Sequence, residues 1–82
     1  MTPTHPLDDI IIEALGLPPD TDVSTLSYAG TPEWDSVGHL ELITSIEDRF
    51  GITIDAADVV EMVDYTALRR LLADKYAVRA ET

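Results

Sequence analysis

The sequence predicts a small all-α protein, and three features of the chain support that fold class. Apolar residues recur at intervals of three and four in three separate segments, which is the period of an amphipathic helix. These segments begin at a proline or behind an aspartate, and two of them stop at a glycine, as helices commonly do. The one run that resembles a strand, GITI at residues 51–54, has no second strand to pair with.

Four helices are predicted from these start and stop signals. Pro6 begins the first helix, because a proline loses no hydrogen bond in the first turn, and Gly16 ends it. Asp35, Asp55 and Asp64 are each placed to cap the helix that follows. The predicted helices cover residues 6–15, 36–50, 56–62 and 65–78. With 82 residues in the chain, all four belong to one domain, residues 1–82.

A long connection, residues 17–35, separates the first two helices. Its prolines and its glycine argue against regular structure. We expect Val23, Leu26 and Tyr28 to hold it against the core. Loops of this length in small domains are commonly functional.

The run DTDVS in this connection raises the possibility of a calcium-binding loop. An EF-hand loop that started at Asp20 would need glycine at its sixth position and glutamate at its twelfth. Those positions are Thr25 and Thr31, and no helix is predicted to follow directly. The sequence therefore excludes an EF-hand here.

The chain is strongly acidic, with 16 Asp and Glu against five Lys and Arg and a net charge of −11. Nucleic acids and anionic membranes attract basic proteins, so neither is an expected partner. A protein with a basic patch is the expected partner, because opposite charge speeds encounter. The absence of cysteine, of a secretory signal and of a long apolar run predicts a cytoplasmic protein, and we expect a monomer.

The second predicted helix has two distinct faces when its residues are plotted at about 100° each. The residues of the predicted core face are Leu40, Ile43, Ile46 and Phe50, with Leu42 at its margin. The residues of the opposite face are Val37, Glu41, Thr44 and Asp48. Single exposed valines are common on protein surfaces. A valine ringed by acids beside Ser36 also fits a docking face for another protein.

Ser36 directly follows the cap of this helix. The amide groups of a first turn, together with the helix dipole, favour a phosphate at that position. Asp35 would recruit a divalent cation to an incoming phosphate. The pair fits a serine that a partner enzyme modifies with a phosphate-bearing group, although Asp-Ser is also a common way to begin a helix.

The run DSVGHLELITSIEDRFGITI, residues 35–54, resembles the signature region of acyl carrier proteins. In that family a helix begins with Asp-Ser and an aliphatic residue and continues with acidic and aliphatic positions. The helix ends in an acidic run, which is followed by Phe-Gly and an Ile-rich turn. Here Val37 stands where leucine is usual. The length, the acidity, the long first loop and TALRRLL near the C-terminus extend the resemblance over the whole chain. It implies a carrier-type bundle of three main helices and a short third one.

The resemblance implies that Ser36 carries 4′-phosphopantetheine, transferred from coenzyme A by a separate Mg²⁺-dependent transferase with the help of Asp35. The acyl group would ride as a thioester on this arm, so the protein would be a carrier and not an enzyme, with no metal site of its own. The residues implied in partner docking are Val37, Glu41, Thr44, Glu47, Asp48, Asp58 and Glu61. The residues implied in holding an acyl chain inside the bundle are Leu42, Ile46, Ile54, Val59, Met62 and Leu68.

Two residues near Ser36 have several possible roles. His39 lies on the core side of the helix and is a candidate for a hydrogen bond at the edge of the core, for contact with the arm, or for the base that activates Ser36. The last role is disfavoured, because the sequence has no nucleophile elbow and little room for a pocket. Trp34 either covers the helix start or contacts the arm.

Two alternatives to an acyl carrier of fatty-acid, polyketide or related specialised biosynthesis remain open. A stand-alone aminoacyl or peptidyl carrier would share the fold and the arm, but the glycines typical of peptide-synthetase carriers are missing before Asp35-Ser36. A non-modified acidic adaptor, in which Ser36 only begins a helix, is the alternative from a different class.

Overall fold

The computed structural model describes residues 6–76, and within them the protein is all-α. In chain order the helices are α1 (Pro6–Leu15), α2 (Ser36–Phe50), α3 (Ala56–Val59) and α4 (Tyr65–Lys75). A single 3₁₀ turn, Val23–Thr25, interrupts the connection between α1 and α2. In the described part of the chain the β-type pairing consists of one isolated bridge between Ser27 and Asp64. None of the helices described is long and apolar enough to cross a membrane.

The predicted bounds of α1 and α2 are confirmed, and α4 begins where predicted. The predicted end of α4 at Val78 lies outside the described residues. The prediction for α3 is wrong in length, since the helix ends at Val59 and not at residue 62. The chain turns after Val59 because Met62 enters the core and the carbonyl of Val63 accepts a hydrogen bond from Tyr28 N–H at 2.7 Å.

Two of the three predicted aspartate caps are confirmed. Asp35 Oδ1 accepts from Gly38 N–H at 2.9 Å, and Asp64 Oδ1 accepts from Ala67 N–H at 2.8 Å. Asp55 makes no such cap. Its carboxylate is used elsewhere, as described below.

The core is formed by apolar side chains of α1, α2 and α4 and of the connections between the helices. Its buried members are Leu7, Ile10, Ile11, Leu15, Val23, Leu26, Trp34, Leu42, Ile43, Ile46, Ile54, Met62, Leu68 and Leu72. The presence of Val23 and Leu26 confirms that residues 17–35 are held against the core. Tyr28 is 38% exposed and is therefore not the core anchor that was expected.

The predicted core face of α2 is wrong at one edge. Leu40 is 64% exposed, whereas Leu42 is completely buried. The buried face is centred on Leu42 and Ile46 and also contains His39, so it is rotated away from Leu40. A helical pattern shows which residues share a face, but the direction of the core depends on neighbours, and Trp34 packs on the His39 side.

The hydroxyl of Tyr65 joins α4 to α1. It donates to Asp8 Oδ1 at 2.5 Å. Partial burial, and then this hydrogen bond to a carboxylate, raise the pKa of Tyr65 to about 12. The first and last helices of the described chain are thereby linked across the bundle.

Candidate modification site at the start of α2

Ser36 is the first residue of α2, and its side chain is exposed. Asp35 precedes it in an extended conformation and accepts two hydrogen bonds, from Gly38 N–H to its side chain and from His39 N–H to its carbonyl. The N–H groups of Ser36 and Val37 come before the first intrahelical hydrogen bonds of α2. The helix start therefore presents partial positive charge next to the Ser36 hydroxyl.

Gly38 is required by the close packing of this helix start. A Cβ atom at position 38 would clash with the carbonyl oxygen of Glu33 and would lie 3.0 Å from Leu15 Cδ2. The first turn of α2 therefore rests directly on the loop before it and on the end of α1. This contact fixes the position of Ser36 relative to both.

Tyr28 is the hydrogen-bonding neighbour of Ser36. Its hydroxyl lies 3.3 Å from Ser36 Oγ, and either group can donate. The main chain of Tyr28 is held by the hydrogen bond to Val63, and its ring meets His39 edge to face with 5.3 Å between centroids. Sequence reasoning missed this role, because a tyrosine in an irregular loop carries no pattern that places it beside a given serine.

His39 is buried, and both of its ring nitrogens have partners. Trp34 Nε1–H donates to Nδ1 at 2.9 Å, and Nε2 lies 2.8 Å from the carbonyl oxygen of Val59. Because an indole N–H can only donate, Nδ1 is the acceptor and Nε2 carries the proton that is donated to Val59. His39 therefore makes hydrogen bonds at the edge of the core, and neither nitrogen remains to act as a base toward Ser36.

Trp34 is completely buried and belongs to the core. Its ring stacks with His39 at 6.1 Å between centroids. This agrees with the expected cover over the helix start. The alternative, contact between Trp34 and an arm on the surface, does not fit a side chain without exposure.

An apolar cleft of about 200 Å³ lies next to the serine. Its lining residues are Tyr28, His39, Val60 and Val63. Tyr28 both lines the cleft and contacts Ser36, so the two features adjoin. None of the four lining residues was among the predicted acyl-chain contacts. Val60 and Val63 were not singled out, because their position depends on the turn that ends α3.

The predicted docking residues on α2 are exposed together on one face. These exposed residues are Val37, Glu41, Thr44 and Asp48. Leu40 joins them as an additional apolar side chain. Glu47 is half-buried, and its Oε2 accepts from Ile54 N–H at 2.8 Å, so it holds the segment after α2 in place. Glu61, after α3, is exposed.

Asp58 does not belong to the exposed acidic surface on which it was predicted. It is 7% exposed. Its Oδ2 accepts from Tyr76 O–H at 2.6 Å and lies 2.8 Å from Lys75 Nζ. Asp55 joins the group, with its N–H donating to Tyr76 Oη at 2.9 Å and its carboxylate 3.3 Å from Lys75 Nζ. This cluster ties α3 to the end of α4.

The charges of this cluster shift the pKa values of its members. The Lys75 ammonium, followed by the Tyr76 hydroxyl, lowers the pKa of Asp58 below its usual range. The same carboxylate, with that of Asp55, raises the pKa of Lys75. It also raises the pKa of Tyr76, since a phenolate would be repelled. The ionised pair and the neutral phenol are thus the favoured states.

The six residues predicted to hold an acyl chain lie in or against the packed core. Five of them are buried: Leu42, Ile46, Ile54, Met62 and Leu68. Val59 is partly buried and packs against them. The structure brings all six together as core residues, and their contact with an acyl chain stays a prediction. Within residues 6–76, no group of three or more metal-ligating side chains is placed to hold an ion.

Comparisons of this protein with protein-family models, curated proteins and solved structures give no match. The function is therefore inferred from the geometry around Ser36 and from the sequence pattern of residues 35–54.

Proposed function

We propose that this protein is an acyl carrier protein. It carries acyl groups as thioesters on a 4′-phosphopantetheine arm attached to Ser36, and it presents them to enzymes of fatty-acid, polyketide or related specialised biosynthesis. The observation that carries the proposal is the exposed Ser36 hydroxyl at the first turn of α2, directly behind Asp35. The helix order, in which α1 and α2 are followed by the short α3 and then by α4, is compatible with a carrier-type bundle.

The residues around Ser36 fit a phosphopantetheine group. The hydroxyl is exposed, the first-turn amides favour a phosphate, and an apolar cleft adjoins the serine. On attachment, Ser36 Oγ loses its proton and forms a new phosphodiester bond, while coenzyme A releases adenosine 3′,5′-bisphosphate. When bound, the group supplies the thiol that forms the thioester, which a chain without cysteine cannot provide.

Asp35 has two compatible tasks at this site. Its Oδ1 caps α2 by accepting from Gly38 N–H. A carboxylate has a second oxygen with further acceptor capacity, and Asp35 is exposed, so it can also help to hold the Mg²⁺ ion of the transferase complex. Capping keeps the carboxylate beside Ser36 before the transferase arrives.

The outer face of α2 supports docking of basic partners. It presents the acids Glu41 and Asp48 around the exposed apolar side chains Val37 and Leu40. The basic residues of the described chain lie mainly elsewhere, with Arg69 and Arg70 exposed on α4, so the charge of the molecule is asymmetric. Exposed charges of this kind accelerate encounter more than they strengthen binding, which suits a carrier that visits several enzymes in turn.

Intact-mass measurement tests the proposal. The protein is incubated with coenzyme A, Mg²⁺ and a broad-specificity phosphopantetheinyl transferase, next to Ser36→Ala and to Ser45→Ala, a control on the same helix. We expect a gain of one phosphopantetheine in the wild type and in Ser45→Ala, and none in Ser36→Ala. If a transferase that is active on a known carrier leaves the wild type unchanged, Ser36 only begins a helix and the acidic adaptor becomes the preferred function.

A further inference from the structure

The cleft beside Ser36 is an apolar site assembled from distant parts of the chain. Val60 is 73% exposed, and Val63 and the ring of Tyr28 are also partly open to solvent. The connection between α1 and α2 is held to the connection between α3 and α4 by the Tyr28–Val63 main-chain hydrogen bond and by the neighbouring Ser27–Asp64 bridge. The walls are therefore positioned before any ligand arrives, in a protein with 16 acidic residues.

The chemistry of the walls selects apolar contact over hydrogen bonding. The side chains of Val60 and Val63 are purely apolar. His39 has both nitrogens engaged with Trp34 and Val59, so its ring offers carbon atoms to the cleft. Tyr28 contributes a hydroxyl, which lies 3.3 Å from Ser36 Oγ. The cleft thus suits a compact branched apolar group that is attached next to a polar or anionic one.

We infer that this cleft binds the pantoyl segment of an arm carried on Ser36, with its two geminal methyl groups against Val60 and Val63. The inference rests on the proposed function and adds to it a resting position for the arm. The Tyr28 hydroxyl exchanges its contact with Ser36 Oγ for a hydrogen bond donated to a phosphate oxygen.

The length of the arm decides which part of it reaches the cleft. The dimethyl carbon is about four bonds from Ser36 Oγ, or roughly 5 Å. Tyr28 contacts Ser36 through its hydroxyl and His39 through its ring, so the wall of the cleft begins beside the serine. The thiol lies about ten bonds further along. The cleft therefore holds the root of the arm, while the cargo lies beyond it and stays accessible to partner enzymes.

Binding at this position is an equilibrium between a docked and an extended arm. Burial of the exposed valine methyls and of the geminal methyls favours the docked state. A partner enzyme that binds the pantoyl group itself shifts the arm to the extended state by competition. The site therefore influences how far the cargo is presented without taking part in any reaction.

The inference is tested by NMR on protein loaded with phosphopantetheine that is ¹³C-labelled in the geminal methyl groups. We expect nuclear Overhauser contacts from these methyls to Val60, Val63 and the Tyr28 ring, and shifts of the Val60 and Val63 methyl signals on loading. The double variant Val60→Ser with Val63→Ser is expected to weaken the contacts to Tyr28 at least about threefold. Ala57→Ser is the control, because Ala57 is exposed on α3 near Val60 in the sequence but lies outside both the cleft and the docking face.

A second variant separates the two roles of Tyr28. Tyr28→Phe keeps the wall of the cleft, so the methyl contacts persist, but the ³¹P signal of the phosphodiester shifts because the hydroxyl donor is lost. Loaded protein without any contact between the geminal methyls and the cleft residues overturns the inference and leaves the carrier function intact. Failure of the wild type to gain the group in the mass measurement overturns the proposed function itself, and the two outcomes are therefore distinct.

Discussion

The two ends of α3 are held by different kinds of interaction. At its C-terminal end, a neutral anchor made of Trp34, His39 and Val59 links the helix to α2 through buried hydrogen bonds. At its N-terminal end, a charged anchor made of Asp55, Asp58, Lys75 and Tyr76 links it to α4. A four-residue helix has no stability of its own, so both anchors are needed to hold it in place.

The two anchors show that the degree of burial decides whether neutral or charged groups can hold the helix. The neutral anchor is inside the protein, where an ion would lose its hydration and a satisfied dipolar network is the stable choice. The charged anchor lies at the rim, where the Lys75 side chain is still about half exposed, so water and salt weaken the ion pair. We therefore expect added salt to leave the neutral anchor unchanged and to weaken the charged anchor.

Among the variants of the two anchors, Trp34→Ala is expected to lower the stability of the protein most. It removes a completely buried side chain and the hydrogen-bond donor of the neutral anchor, and it should lower the free energy of unfolding by about 3–5 kcal/mol. Urea denaturation followed by circular dichroism measures the loss. Val60→Ala is the control, because its exposed side chain should change stability by less than about 0.5 kcal/mol. Equal stability of Trp34→Ala and wild type would contradict the placement of Trp34 in the core.

His39→Leu breaks the neutral anchor, because it replaces the imidazole by an apolar side chain of similar size that cannot form hydrogen bonds. The indole N–H of Trp34 and the carbonyl of Val59 then lose their partner, which should cost about 1–3 kcal/mol. The loss should be the same in low salt and in about 1 M salt, since the groups left unpaired are neutral. A loss that shrinks markedly with salt would mean that His39 acts as a charged residue instead.

Asp58→Asn tests the charged anchor and should destabilise less than His39→Leu at neutral pH, with an effect that falls as salt is added. Because the folded-state pKa of Asp58 is lowered below the usual 3.8, its ionised form stabilises the fold above about that pH. This contribution is lost as the pH falls through the folded value. The difference in urea midpoint between wild type and Asp58→Asn should therefore be largest near neutrality and shrink below pH about 4.

The reverse holds for Lys75 at the alkaline end. Its folded-state pKa is raised above 10.5, so its contribution is present below that pH and is lost as the pH rises through the folded value. Lys75→Met should remove the same salt-sensitive contribution to the free energy of unfolding as Asp58→Asn. The double variant should therefore lose less stability than the sum of the two single losses. Strict additivity would show that the two side chains do not act as one anchor.

Glu41→Lys tests an exposed residue that belongs to neither anchor. We expect a change of less than about 0.5 kcal/mol in stability. Loading of Ser36 by the transferase, and turnover with partner enzymes, should slow several-fold, since the charge that attracts a basic partner is reversed. Asp74→Lys is a matched control, since Asp74 is an exposed acid on α4 outside the docking face. Unchanged loading and turnover would remove Glu41 from the docking face.

The sequence predicts what is local in this protein. The bounds of α1 and α2, the caps at Asp35 and Asp64 and the buried positions of Ile43 and Ile46 follow from periodicity and from residues a few positions apart. These features depend on hydrogen bonds within one turn and on the apolar face of a single helix. A single sequence contains them in full.

The predictions that the structure contradicts concern residues that are far apart in the sequence but in contact in the fold. Asp58 looks like an exposed acid until Tyr76, 18 positions away, is brought against it. His39 acquires its role from Val59, 20 positions away, and the end of α3 is set partly by the contact between Tyr28 and Val63. Ser36 was predicted as a modification site from its neighbours in the chain, whereas the cleft beside it depends on the tertiary structure.

The anchoring of α3 also orders the events of folding. Helices α1, α2 and α4 can begin to form from local contacts, but the side-chain hydrogen bonds that hold α3 join it to residues far away in the sequence. We therefore expect the short helix to take its final position after the other helices have formed. Because Val60 and Val63 follow it in the chain, we expect the wall of the cleft next to Ser36 to form late in folding.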